Sequence, residues 1–227
     1  MLKFAPILLA LLYAVVLWRF SAWRTARELD ARSTELRDPA LAEVTGRLAR
    51  ALGVARVPVR VYEIPMVNGL AAPDGRIFLT RGFLDRFRAG QVTAEELASV
   101  IAHELGHVAL GHSRRRMIDF TGQNAIRVML ATILGRLVPG IGVWIANLLT
   151  SLVAARLSRR DEYEADEWAS ALLVKAGIGT GPQKALFAKL GRLTGGGSAP
   201  AWLLSHPATA DRITAIEANE AKWGLRR

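Results

Sequence analysis

The chain has 227 residues, a formal charge of +10 and no cysteine. Disulfide frameworks, thiolate metal sites and cysteine nucleophiles are therefore excluded, and any transition-metal site must use carboxylates and the four histidines, His103, His107, His112 and His206. At 51% hydrophobic residues and a mean hydropathy of +0.21, the chain is too apolar for disorder and rather apolar for a plain soluble domain.

The charge sits at the ends: residues 1–60 and 171–227 each carry a net +5, and the middle is neutral. There is no nucleic-acid recognition motif and no basic run with interleaved aromatics, so the expected partner of the basic ends is membrane lipid, not nucleic acid. Phe4–Trp18 is an uncharged run between Lys3 and Arg19. As a helix it rises only ~22 Å, and snorkelling of Lys3 and Arg19 with interfacial Trp18, Phe20 and Trp23 makes up the length. The run ends in Trp18-Arg19-Phe20, a poor cleavage site, so residues 1–23 are expected to be an uncleaved transmembrane anchor. Arg19, Arg24, Arg27 and Arg32 outnumber Lys3 across it, which places the anchor in the cell (inner) membrane with the main domain in the cytoplasm. Residues 24–38 then form a basic juxtamembrane linker, and residues 39–227 the folded domain.

Pro39–Leu52 is an amphipathic helix with Gly53 as its stop. Val57–Ile64 is a strand, and Met66–Ala72 with Arg76–Thr80 flank the turn Pro73-Asp74-Gly75 as a hairpin. Gly82–Arg88 starts another helix. Thr93 and Glu96 form a capping box, opening a long helix to about Gly111. A hydrophobic insertion follows at 126–157. Within it Leu137–Ala155 is uncharged, either a span or a pair of buried or surface-dipping helices. A further helix runs from about Ser158 to Ala176, then a Gly195–Ser198 loop, and Pro207 opens a last helix to about Lys222. The fold class is α+β, mainly helical with a small antiparallel sheet.

Residues 103–107 read His-Glu-Leu-Gly-His on the capped helix. Histidines at i and i+4 differ by ~40° around the axis, so both can hold one zinc ion, and Glu104 is near enough to reach a water on it. Leu97, Val100, Ile101, Leu105 and Val108 form the apolar stripe, with Glu104 in its middle. A carboxylate there is costly without a partner. A catalytic zinc takes three protein ligands, and the residues around His112 do not match a His-x-x-Gly-x-x-His continuation, which leaves His112 a structural or outer-shell role. The other source of a third ligand is Asp161–Glu167, whose five acids are either that source or a solvated acidic face. Glu162 and Asp166 lie beside the apolar side made by Ala165, Trp168, Ala169, Leu172 and Leu173, whereas Glu164 and Glu167 point away. Glu162 is the inward carboxylate, either a metal ligand or a helix-end charge at the N-terminal dipole, and Asp166 is placed to hydrogen-bond a ligand histidine.

His-Glu-x-x-His, a hydrophobic insertion and then Glu-x-x-Ala-Asp over roughly residues 40–220 resemble the gluzincin family of HtpX-type proteases, CAAX prenyl proteases and Oma-type mitochondrial proteases. The resemblance implies a zincin-type metallopeptidase domain with one zinc per chain, His103, His107 and Glu162 as ligands and Glu104 as general base. Ser205-His206-Pro207 with Arg212-Ile213 is similar to the family's C-terminal motif, which makes His206 an oxyanion donor or, on its own residues, a cap of the helix at Pro207. Asn68-Gly69-Leu70 stands where the family has its substrate-binding edge strand. The function so implied is a zinc metalloendopeptidase acting on membrane-associated or misfolded proteins, with a peptide or protein as substrate. The alternative is a proteolytically idle zinc-binding membrane adaptor.

Overall fold

A computed structural model describes residues 5–72, 74–190 and 210–225. It is mainly helical around a small four-stranded sheet. The first helix, α1 (Ala5–Ala31), is followed by β1 (Ser33–Glu35), α2 (Pro39–Leu52), β2 (Val59–Tyr62), β3 (Gly69–Ala71), β4 (Ile77–Thr80), α3 (Arg81–Arg88), α4 (Ala94–Ala109), α5 (His112–Leu137), α6 (Gly142–Lys175), α7 (Gly181–Leu190) and α8 (Ala210–Lys222). Among the described residues no helix is long and apolar enough to cross a membrane. Residues 1–4, the start of the expected anchor, lie outside the described residues, and the rest of that stretch belongs to α1.

The expected linker at 24–38 is structured. It holds the end of α1 and then β1, whose polar Ser-Thr-Glu sequence has no apolar alternation to announce a strand. Leu29 of α1 is buried with Ala72 and Phe78 on one face of the sheet, and Tyr62 and Leu70 pack around them. Ile77 and Leu79 of β4 face the main core on the other side. β4 is thus buried at every position, which is why it shows no polar–apolar alternation.

The sheet order is β1-β2-β4-β3. The expected hairpin is present: β3 and β4 are antiparallel, with Gly69 opposite Leu79 and Ala71 opposite Ile77. Around its turn the Ala72 N–H donates to Arg76 O at 2.8 Å, and the Asp74 carboxylate accepts from the Arg76 N–H at 3.1 Å. The expectation of an antiparallel sheet needs correction, because β2 and β4 run parallel. The chain leaves β2, passes to the far edge as β3 and returns between them, so the sheet is mixed.

The capping box closes as expected, with Glu96 N donating to Thr93 Oγ1 at 3.1 Å and Thr93 N to Glu96 Oε2 at 2.9 Å. α4 lies at the centre of the molecule, with Leu97, Ala98, Val100, Ile101 and Ala102 all buried. α6 crosses it at Gly106: a Cβ there would sit 3.0 Å from Ala165 O and 3.2 Å from Ala165 Cα. These two small residues let the helices approach closely enough for side chains one turn away on each to meet.

The helix expected at 158–176 begins earlier, at Gly142, and runs unbroken through the arginines at 156, 159 and 160. With α5 it forms a helical hairpin. Its far end is apolar and uncovered: Val128, Met129, Leu137, Ile141, Val143, Trp144, Leu152 and Val153 are all exposed.

Candidate active site

Three side chains from the two crossing helices converge. His103 Nε2 and His107 Nε2, both from α4, are 3.1 Å apart. Glu162 of α6 brings one carboxylate oxygen to 3.4 Å from His103 Nε2 and the other to 3.5 Å from His107 Nε2. All three residues are buried, and their donor atoms lie close enough together to share one metal ion. The helical spacing explains this: i and i+4 bring both rings to one side of α4, and Gly106 between them lets α6 in.

Asp166, one turn after Glu162, accepts from His103 Nδ1 at 3.0 Å. Arg212 of α8 clamps the same carboxylate, donating through Nε to Asp166 Oδ2 at 2.6 Å and through Nη2 to Oδ1 at 2.7 Å, and Gln183 Nε2 approaches Oδ1 at 3.5 Å. The Arg212 guanidinium lies over the Phe187 ring, 4.5 Å from its centroid, and reaches Glu162 Oε2 at 3.5 Å. Burial on its own pushes the His103 imidazole down, but the Asp166 and Glu162 carboxylates outweigh it and raise it to about 9. Burial likewise pushes the Asp166 carboxyl up, and Arg212 with His103 overcomes this to hold it below the usual range.

Glu104 is 2% exposed, in the apolar stripe as its helix phase requires. The edge strand β3 presses onto it. A Cβ on Gly69 would lie 2.5 Å from Val100 Cγ1 and 3.8 Å from Glu104 Oε1, so only glycine lets the strand run this close to the helix. Gly69 thus brings the backbone of β3 next to Glu104, while the Leu70 side chain packs on the other face of the sheet with Leu29 and Phe78. Asn68 is bound into the sheet by its main chain, with its N–H donating to Thr80 Oγ1 at 2.9 Å and its carbonyl accepting from Thr80 N at 3.0 Å. His206 and Pro207 lie outside the described residues.

Glu164 points away from α4, as its helix phase requires, but α5 packs along that side of α6 and supplies it with partners. His112, the first residue of α5, is 1% exposed and brings Nε2 to 3.3 Å from Glu164 Oε2. Arg115 Nη1 donates to the same oxygen at 2.7 Å and to Asp161 Oδ1 at 3.3 Å, and Arg160 Nε donates to Glu164 Oε1 at 2.8 Å. Arg115 above all, against burial and with help from Arg160 and His112, holds the Glu164 carboxyl down at about 2. His112, Asp161 and Glu164 also stand at metal-ligand spacing, but the Arg115 guanidinium already supplies their cation. Arg212 and Arg115 escaped the sequence reading as site residues. Arg212 carried a signal in its place after the His-Pro pair, whereas Arg115 sat in an undifferentiated triplet, 114–116.

Two histidines and a glutamate on crossing helices, with a buried glutamate between the histidines, are the equipment of a metallopeptidase. The comparisons agree. Residues 35–220 match peptidase family M48. Metalloprotease LoiP of Escherichia coli (strain K12) is 33% identical over 210 residues, covering 89% of this chain and 80% of LoiP. Metalloprotease YcaL of the same organism is 31% identical, covering 75% and 66%. The human metalloendopeptidase OMA1, mitochondrial, is 24% identical over 70% of this chain and 31% of its own length. The chain belongs to peptidase family M48, and it is a metalloendopeptidase.

Proposed function

We propose that this metalloendopeptidase works with one zinc ion held by His103, His107 and Glu162. The observation that carries the reading is the convergence of two imidazole Nε2 atoms, 3.1 Å apart, on the Glu162 carboxylate, whose two oxygens lie 3.4 and 3.5 Å from them. Zn–N and Zn–O bonds of about 2.0–2.1 Å in a tetrahedron separate neighbouring ligand atoms by roughly 3.4 Å, so the residues fit the ion as they stand. Three protein ligands leave one position for water or substrate. Bound there, zinc supplies a Lewis acid for the scissile carbonyl and brings the pKa of its water to about 7.

The remaining roles fall to side chains. Glu104 takes the proton of the attacking water and returns it to the leaving amine. Asp166, anchored by Arg212, holds His103 in the tautomer that presents Nε2 to the metal. His206 donates to the developing oxyanion, a role that rests on the resemblance of Ser205-His206-Pro207. An extended substrate adds to the outer edge of β3 along Asn68–Leu70, and the closeness of Gly69 to Glu104 supports that route because it carries the peptide past the base.

We read the protein as membrane-held, with membrane-associated or misfolded proteins as substrates. The apolar run at 4–18 supports an anchor in the cell inner membrane, and the arginines after it support a cytoplasmic catalytic domain. The exposed apolar end of the α5–α6 hairpin supports a second contact. Its arms, 126–137 and 142–155, rise only ~17–20 Å against a hydrocarbon core of ~30 Å, which favours dipping over crossing. Replacing Trp144 and Leu148 together by serine should weaken binding to anionic vesicles and leave zinc content unchanged.

The test of the main reading is metal analysis of the purified full chain, paired with digestion of unfolded casein. One zinc per chain and cleavage abolished by a chelator are expected. Full cleavage by metal-free protein would overturn the proposal.

A further inference from the structure

The two α4 histidines each turn Nδ1 away from Glu162. For His103 that nitrogen meets a carboxylate, the usual partner of a metal-ligating imidazole. For His107 it meets another histidine: His107 Nδ1 and His112 Nδ1 are 2.7 Å apart, with the rings edge to face at 70° and centroids 4.9 Å apart. Local backbone arranges this contact. α4 ends at Ala109, and Gly111 takes a left-handed φ of +65° to turn the chain into α5, so that His112 is delivered back onto the preceding turn. Beyond His112 the chain of contacts continues to Glu164 and ends on Arg115 and Arg160.

Proton bookkeeping gives this chain one direction. A neutral imidazole carries a proton on only one of its two nitrogens. If His107 offers Nε2 to the metal, its proton is on Nδ1 and is donated. His112 must then accept at Nδ1, which puts its own proton on Nε2, facing Glu164 Oε2. Glu164 accepts, and its charge is balanced by the two guanidiniums. Every donor in the series has an acceptor, with Glu164 Oε2 receiving both His112 Nε2–H and Arg115 Nη1.

We propose that His112 is a positioning residue of the metal site, holding His107 in its metal-binding tautomer through the relay His107–His112–Glu164–Arg115. The proposal rests on the zinc-site reading and extends it to the far side of α4. It makes a side-chain prediction that volume alone does not. Asparagine places its amide oxygen close to the position of a histidine Nδ1 and can accept from His107; leucine fills similar space and cannot.

The experiment measures zinc affinity by chelator competition for the full-length wild type, His112→Asn and His112→Leu. Apo-protein melting serves as the folding control, and the Co(II) absorption spectrum reports the ligand field. His112→Leu should bind zinc 10–100-fold more weakly and show a shifted Co(II) band, the usual consequence of losing such a partner. His112→Asn should stay within about threefold of wild type, as expected when the accepting atom is kept. Leucine binding as tightly as wild type, or asparagine as weakly as leucine, would overturn the relay. Should His112→Leu fail to fold, the asparagine variant decides alone, because a loss of tenfold or more in a folded His112→Asn protein contradicts acceptance by its amide. A wild-type chain that takes up no stoichiometric zinc would overturn the metal reading and the relay together.

Discussion

His103 and His107 stand one helical turn apart and face the same glutamate, yet they are held in different ways. His103 is backed directly by Asp166, a carboxylate 2% exposed and clamped by a guanidinium that is itself buried. His107 is backed through a second imidazole by Glu164, whose side chain is 26% exposed and is shared between two surface arginines. The first support is short, dry and part of the core, since Arg212 also packs over Phe187. The second is long and open to water at its far end. A buried charge pair is costly to break on one side, whereas a pair at the surface contributes little, so the two arms should respond very differently to the same kind of damage.

The largest effect belongs to the buried arm. Asp166→Ala leaves the Arg212 charge uncompensated in the core and removes the acceptor for His103. We expect a loss of about 3–5 kcal/mol of stability in apo-protein melting, together with at least a 10–100-fold loss of zinc affinity. The next effect is that of His112→Leu, which should lower zinc affinity within the same range but leave apo stability much closer to wild type. Glu164→Ala is the smallest. It removes only the exposed end of the longer arm, and zinc affinity should fall by no more than about threefold, since His112 Nε2–H can turn to water or Asp161. If Glu164→Ala proved as damaging as Asp166→Ala, the two arms would be equivalent and the contrast would fail. If His112→Leu unfolded the apo protein, His112 would count mainly as core.

Much of this site was legible from residue order because its main features are local. The Thr93–Glu96 capping box set the start of α4, and i, i+4 spacing put His103 with His107 and Glu162 with Asp166. The hairpin at 69–80 had a turn signal between two apolar runs. What was missed depends on contacts between distant segments. Helix phase turned Glu164 outward correctly with respect to α4, but α5 then covers that side, and no periodicity within α6 announces it. Arg212 is 46 residues from Asp166, and although it follows the His-Pro pair, nothing in its own helix announces that it is buried against that carboxylate. The parallel pairing of β2 with β4 leaves no tight turn to read, and β1 is held by its backbone, not by an apolar pattern. The start of α6 was hidden because Arg156, Arg159 and Arg160 look like the edge of an apolar segment, although helix hydrogen bonding continues through them.

The role proposed for Glu104 is to perform the proton transfer at a metal held by its neighbours. It is tested most directly by measuring, on one preparation each of wild type and Glu104→Gln, both bound zinc and the rate of casein cleavage. Equal zinc is expected, with a rate lowered by a factor of ~10²–10⁴ in the variant, the contribution usual for a positioned general base. Cleavage at the wild-type rate by a zinc-loaded Glu104→Gln protein would contradict it.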